Sequence, residues 1–116
     1  MSLKSSLVIV ACVSVVAPAA AQQPQASVPI LAQAYDRCMT TFAVRLTKTA
    51  ATDEEIFGEA IRSCLPLKTQ LTGAILAQLP AAEANKIVQV IDAQAKPSFV
   101  SMLAKIRADR AARPSG

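Results

Sequence analysis

The chain contains no histidine and no tryptophan, and it has few glycines and few aromatic residues. Because histidine is the commonest general base and a common metal ligand, its absence removes the usual centre of acid–base catalysis and of zinc binding. Three glycines in 116 residues are too few for a series of β-hairpin turns. With aromatic residues at only 3%, the core must be built from leucine, isoleucine, valine and alanine.

Motifs of catalysis are also missing, since the sequence has no glycine-rich phosphate loop and no CxxCH haem motif. Ser63 and Ser98 have no histidine to activate them. Glu54, Glu55 and Glu59 lie close together, and a pair of catalytic carboxylates is the weaker interpretation of them. Acidic residues at a predicted helix start are explained by capping and by the helix dipole. We therefore expect no enzymatic activity, no cofactor and no metal site.

The first 21 residues have the order of a secretory signal peptide. Lys4 precedes an uncharged apolar run over residues 7 to 16, and Pro18 separates that run from Ala19 and Ala21. The run is shorter than the roughly 20 apolar residues that a transmembrane helix needs. Cleavage after Ala21 is predicted. It leaves a mature chain of 95 residues without a transmembrane span, in the periplasm or secreted.

Cys12 offers an alternative form of N-terminal processing. Ile9, Val10 and Ala11 before it resemble a lipobox, in which the cysteine is acylated and becomes the first residue of the mature chain. The apolar stretch before Cys12 is short for such a signal, and a small-residue cleavage site follows it. Removal of Cys12 with the signal peptide is the favoured interpretation, and it leaves the mature chain with one pair of cysteines.

That pair, Cys38 and Cys64, is placed symmetrically about Ala51. If both arms are helical at about 1.5 Å per residue, folding the chain at Ala51 brings the two sulfurs together in an antiparallel pair. In an oxidising compartment this arrangement predicts a disulfide that staples an N-terminal helical hairpin. The alternatives are a redox couple, and a Cu(I) site completed by Met39 or Met102. Neither cysteine has the spacing of a catalytic dithiol.

Apolar residues recur at spacings of three and four along most of the mature chain, and no segment alternates regularly between apolar and polar residues. This periodicity predicts a first helix over residues 29 to 48. Thr52 and Glu55 match a capping box and predict the start of a second helix. Residues 22 to 28 are predicted to be a disordered leader and residues 113 to 116 a disordered tail. Residues 29 to 112 then form a single helical domain.

Prolines divide the rest of the domain. Pro66 predicts that the second helix ends or kinks near Cys64, and Pro97 predicts a boundary between the last two helices. The fold class is therefore all-α, a small antiparallel bundle of four or five helices. An alternative keeps the helices but merges segments across Pro66 or Pro97 into longer, kinked ones. The predicted helices after Pro66 cover residues 67 to 79, 81 to 95 and 98 to 112.

The C-terminal segment is basic, and four of its residues form a candidate surface for binding anionic lipid: Lys105, Arg107, Arg110 and Arg113. They alternate with an apolar stripe, as in a helix that lies in a membrane interface. A helix that closes a bundle, with cations near its C-terminal end, gives the same pattern. Export and the lack of interleaved aromatic residues argue against nucleic acid as a partner.

One set of residues carries a resemblance to known proteins: Tyr35, Cys38, Asp53, Glu54, Glu55, Ile56, Ala60 and Cys64. Together with the signal peptide, this set resembles a loose group of small exported Gram-negative proteins of unknown function. Those proteins share a signal peptide followed by a two-cysteine helical hairpin. The resemblance covers about 35 residues and implies no catalytic residue.

These observations predict a non-enzymatic periplasmic or secreted helical protein that interacts with another component of the cell envelope, either a protein or a lipid. The alternative is a protein that binds amphiphiles or an anionic membrane surface through an apolar groove and the basic C-terminal helix. A contiguous exposed apolar surface favours a protein partner. An enclosed apolar cavity of several hundred cubic ångströms favours carriage of a ligand.

Overall fold

A computed structural model gives the fold and describes residues 27 to 113. Four helices make up most of this stretch, which contains no β-strand. The predicted all-α class is confirmed, with four helices rather than five. The predicted signal peptide, including Cys12, Ala19 and Ala21, lies outside the described residues, as do residues 22 to 26 of the predicted leader and residues 114 to 116. The helices are α1 (Val28–Leu46), α2 (Asp53–Ser63), α3 (Leu65–Gln78) and α4 (Ala81–Ala112).

The capping box at the start of α2 forms as the sequence predicts. The hydroxyl of Thr52 accepts a hydrogen bond from the backbone amide of Glu55 at 3.2 Å, and the Glu55 carboxylate accepts one from the amide of Thr52 at 3.4 Å. These bonds satisfy backbone amides that the first helical turn leaves without a partner. Before this turn, α1 ends at Leu46, two residues earlier than predicted, and the Thr49 hydroxyl donates to the Leu46 carbonyl at 2.6 Å.

The chain leaves the helical conformation between α2 and α3 at Cys64, as Pro66 predicts. Cys64 has φ of −97° and ψ of 5°, and its carbonyl accepts hydrogen bonds from the amides of Leu67 and Lys68, both at 3.1 Å. Pro66 is the second residue of α3. A proline is tolerated in the first helical turn because its missing amide hydrogen has no acceptor within the helix there.

The prediction that Pro97 separates two helices is wrong. α4 is one helix, Ala81–Ala112, with Pro97 in its interior. A proline at such a position costs about 3 kcal/mol, because it removes a backbone hydrogen bond and crowds the preceding turn. Burial on both sides outweighs this cost, since Ala84 before the proline and Phe99 and Leu103 after it are all buried. The apolar spacing that continues through the proline is Ala84, Val88, Ile91, Ala95, Phe99, Met102 and Ile106.

The buried residues form two clusters, and α1 and α4 contribute to both. Tyr35 packs against both clusters. All pairs of these four helices are in contact. The first cluster, called here the stapled cluster, consists of Met39, Ala43, Ile56, Ala60, Cys64, Phe99 and Leu103. The second, called the unstapled cluster, consists of Leu31, Leu71, Ile75 and Ala84.

A candidate binding groove between the first and last helices

Cys38 and Cys64 form the predicted disulfide, with 5.9 Å between their Cα atoms. Cys64 is fully buried and Cys38 is half-buried. The bond joins the middle of α1 to the junction between α2 and α3. Cysteine acts as a nucleophile or a metal ligand in its thiolate form, so the oxidised pair contributes a covalent cross-link rather than a reactive group.

The acidic residues at the start of α2 connect this helix to α4. Asp53 pairs with Arg107, and Glu54 pairs with Lys96. Glu55 takes part in the capping box. The two ion pairs are exposed to solvent, where a single pair contributes only about 0 to 1 kcal/mol. The segment that suggested a carboxylate pair therefore starts α2 and adds two weak surface contacts between α2 and α4.

The four basic residues that the sequence proposes as a binding surface have different environments. Arg110 donates to the hydroxyl of Thr47 at 2.7 Å and to the carbonyl of Val44 at 2.8 Å. These bonds satisfy groups at the C-terminal end of α1, where a cation is favoured by the helix dipole. Arg107 is paired with α2. Lys105 and Arg113 are exposed, so half of the proposed surface is used within the fold.

A groove open to solvent lies between α1 and α4, with a volume of about 240 Å³. Met39 and Phe99, which are 6% and 3% exposed, form its floor. Their burial makes the floor part of the stapled cluster, so the groove is built on a packed core. The residues that line it are Tyr35, Asp36 and Met39 on α1, and Ile91, Gln94, Ala95, Ser98, Phe99 and Met102 on α4.

A second depression, of about 380 Å³, extends the groove to the unstapled cluster. It shares Tyr35, Asp36 and Ile91 with the first depression and adds Leu71 from α3. On α4 the lining runs from Ile91 to Met102, which at 1.5 Å per residue is about 16 Å, or about three helical turns. The combined groove is therefore long enough to receive a segment of helix.

The groove carries a single formal charge. Asp36 is the one charged residue among those that line either depression, and it is exposed. Burial raises the pKa of the neighbouring Tyr35 above its ordinary value, while the Lys68 ammonium lowers this pKa and the Asp92 carboxylate raises it. Because the ordinary pKa of tyrosine is already about 10, Tyr35 is neutral at physiological pH. The surface is thus mainly apolar, with a few neutral polar side chains and one negative charge.

The two methionines that the sequence raised as soft metal ligands, Met39 and Met102, both line this groove. The sulfur of Met102 accepts a hydrogen bond from the hydroxyl of Thr40 at 3.5 Å. Their thioethers are polarizable and adapt to irregular apolar surfaces, which suits a wall that contacts varied side chains. Between residues 27 and 113 there is no group of three or more cysteine, aspartate or glutamate side chains that could hold a metal ion.

The sequence predicts neither the position nor the lining of this groove. Tyr35 and Phe99 lie on two helices that are far apart in the sequence. The missing information is that α1 and α4 lie side by side, because their groove residues are more than 50 positions apart in the chain. No short-range pattern encodes such a contact.

None of the helices in the described part of the chain has the length and apolar character needed to cross a bilayer. Comparisons with protein-family models, with curated proteins and with solved structures find no match for the chain. The groove is therefore the feature of the molecule that indicates a function.

Proposed function

We propose that the protein is a non-enzymatic, exported helical protein that binds another component of the cell envelope through the groove between α1 and α4. The observation that carries this proposal is a mainly apolar groove, open to solvent, with the buried side chains of Met39 and Phe99 as its floor. Apolar surface gathered in one exposed feature is typical of interaction sites.

The openness of the groove favours a protein partner over a carried ligand. Small-molecule sites enclose most of the ligand in a cavity of about 300 to 1,000 Å³. The first depression measures about 240 Å³, and the second, of about 380 Å³, is more open still. Such a shape suits side chains that project from the surface of another protein.

α1 and α4 run in the same direction, since one cluster joins early residues of both helices and the other joins later residues of both. The proposal therefore limits the antiparallel arrangement to α1 against α2 and α3, with α1 and α2 as a stapled hairpin. Two features support it. Leu31, near the start of α1, packs in one cluster with Ile75 of α3. Ala43, near the end of α1, packs in the other cluster with Ile56 of α2. Because later residues of α1 lie with earlier residues of the following helices, the disulfide holds together segments that run in opposite directions.

Export through the predicted signal peptide is also part of the proposal. The Cys38–Cys64 disulfide supports it, because disulfides persist in the periplasm and outside the cell and are rare in the cytosol. Mass spectrometry of the processed protein is expected to find Gln22 as the first residue and one disulfide. A protein that begins with an acylated Cys12 would replace this interpretation with the lipoprotein alternative.

Site-specific photo-crosslinking in the producing cell tests the groove. A photoreactive residue at Gln94, in the groove, is expected to give one discrete adduct, whereas the same residue at Gln89, exposed on α4 outside the groove, gives none. Ala95→Phe fills the groove and is expected to abolish the adduct. Ala104→Phe, at an exposed position of the same helix, is the matched control and leaves it unchanged.

Several outcomes of this experiment contradict the proposal. Equal adducts from Gln94 and Gln89 would show that the groove is not the contact surface. An adduct that survives Ala95→Phe would lead to the same conclusion. An adduct with twice the mass of the chain would identify the occupant as a second copy of the protein rather than another envelope component.

The second candidate function is binding to an anionic membrane surface, which the exposed Lys105 on α4 and Arg113 just after α4 support. Each basic residue near such a surface contributes about 1 kcal/mol, and the attraction is screened by salt. Sedimentation with vesicles that contain phosphatidylglycerol, at low and at high salt, tests it. Absence of binding at low salt excludes this function. Binding that is lost in a Lys105→Gln, Arg113→Gln variant supports it.

A further inference from the structure

The partner's chemistry can be inferred from the environment of Asp36. Most acidic residues of the described chain have an evident structural role. Asp53, Glu54, Glu59 and Asp92 pair with basic side chains, and Glu55 caps α2. Asp36 instead lies in the middle of α1, away from a helix start, and makes no ion pair with any residue from 27 to 113.

Asp36 places its negative charge on the groove, where a bound partner would contact it. It lines both depressions and no basic residue lines either of them. The chain as a whole is basic, with a net charge of +4, so the groove is an acidic site on a basic protein. Complementary charges across an interface set orientation and suppress wrong partners. A cationic group on the occupant therefore fits this site, and an acidic group is repelled.

The shape of the groove indicates the secondary structure of the segment that binds in it. Its α4 side extends over about three helical turns, and its floor, formed by Met39 and Phe99, is apolar. Amphipathic helices bind such grooves through apolar side chains at positions i, i+3 or i+4, and i+7.

We infer that the partner presents a helix whose apolar stripe enters the groove and whose lysine or arginine, next to that stripe, pairs with Asp36. This inference rests on the proposed function and adds the charge and the secondary structure of the partner. It also predicts salt dependence, because the pair forms at an exposed position where ions screen it.

A displayed library of helical peptides tests the inference without knowledge of the natural partner. The peptides have an alanine-based helix with randomised residues on one face, and they are selected against the oxidised protein, against Asp36→Asn and against Asp109→Asn. Asp109 is the matched control, because it is exposed on α4 outside the groove and makes no ion pair within residues 27 to 113. Circular dichroism confirms that both variants are folded.

The unmodified protein and Asp109→Asn are expected to enrich peptides with the apolar stripe and an adjacent lysine or arginine. Asp36→Asn is expected to retain the stripe and lose the cationic preference. In fluorescence anisotropy, replacing that lysine by glutamate in the best peptide is expected to weaken binding about two- to five-fold at low salt, the scale of an exposed ion pair. The difference disappears with Asp36→Asn.

Three results would overturn the inference. The first is enrichment of peptides without a cationic residue beside the stripe. The second is an unchanged cationic preference in Asp36→Asn. The third is a failure to enrich any peptide whose binding Ala95→Phe blocks. If the groove-specific crosslink from Gln94 persists in that last case, the proposed function stands and the helical, cationic partner is wrong.

Discussion

The stapled cluster and the unstapled cluster are held together by different kinds of interaction. Around the stapled cluster, the disulfide joins α1 to the end of α2, two ion pairs join α2 to α4, and Arg110 joins α4 to the end of α1. Around the unstapled cluster, a single ion pair between helices is present among residues 27 to 113, and it joins Lys68 of α3 to Asp92 of α4. The remaining cohesion there is apolar packing, from four buried side chains and the partly buried apolar residues around them.

This difference indicates how one small domain can be both stable and adaptable. Covalent and polar links fix helix positions at specific points, whereas a small apolar cluster permits small shifts of the helices that form it. Local opening concentrates where buried apolar contacts are few. The groove extends over both clusters, with Met39 and Phe99 at its fixed end and Leu71 at the other. We propose that a partner bound in the groove contacts one preformed end and one end that can adjust.

Removal of the disulfide is expected to reduce the stability of the domain more than any other change considered below. The bond closes a loop with a sequence separation of 26, for which the loop-entropy estimate is about 3 to 4 kcal/mol. For a domain of this size, that loss lowers the midpoint of thermal unfolding by about 15 to 30 °C. Thermal melting of a Cys38→Ala, Cys64→Ala variant, followed by circular dichroism, measures it. An unchanged midpoint would contradict the role given to the staple.

A matched pair of isoleucine substitutions compares how tightly the two clusters are packed. Ile56 in the stapled cluster and Ile75 in the unstapled cluster are both buried, at 0% and 1% exposure. Loss of one buried methylene on Ile→Val costs about 0.5 to 1.5 kcal/mol, and the cost depends on how well the site can collapse. We expect Ile56→Val to be near the upper value and Ile75→Val near the lower, measured by urea unfolding. The reverse order would show that the unstapled cluster is the more rigid.

The contact between α4 and the end of α1 gives a smaller effect. Arg110→Gln removes hydrogen bonds to Thr47 and to the Val44 carbonyl. At this partly exposed site we expect a loss of about 0.5 to 1 kcal/mol in the free energy of unfolding. Lys105→Gln, at an exposed position of the same helix, serves as the control and is expected to leave stability unchanged. Equal effects of the two substitutions would show that Arg110 does not help to hold α4 against the end of α1.

The smallest effect is expected from Tyr35, which packs against both clusters. Its pKa is raised in the folded state, mainly by burial, so folding favours the neutral phenol. Its contribution is therefore complete below pH 10 and is lost as the pH rises through the folded-state pKa. Urea unfolding from pH 9 to pH 11 is expected to show a steeper decline in stability for the unmodified protein than for Tyr35→Phe. Equal declines in the free energy of unfolding would show that ionisation of Tyr35 is not coupled to folding.

The parts of the fold that the sequence predicts correctly depend on local or nearly local signals. The capping box of Thr52 and Glu55 spans three residues, and the spacing of Cys38 and Cys64 about a short connection indicates their bond. The same local reasoning fails at Pro97, because the burial that holds α4 together comes from other helices. The groove is also beyond local reasoning, since it depends on how α1 and α4 lie against each other.

Buried residues that the sequence leaves out have a common feature. Met39, Ala43 and Ala84 are buried, although a search for large apolar side chains at helical spacing does not select them. Alanine allows close approach of two helices, and methionine fills irregular gaps. The burial of both therefore depends on the shape of the neighbouring helix, which the local sequence does not show. The signal peptide, with its cleavage at Ala21 and its small residue at Ala19, stays a prediction.

Native-state hydrogen exchange of the oxidised protein, resolved to single helices by mass spectrometry, tests the contrast between the two clusters most directly. We expect the amides of α2 and of the second half of α4 to exchange more slowly than those of α3 and of the first half of α4. The difference is expected to shrink in the Cys38→Ala, Cys64→Ala variant. Equal protection of the four segments in the oxidised protein, or greater protection of α3, would contradict the account.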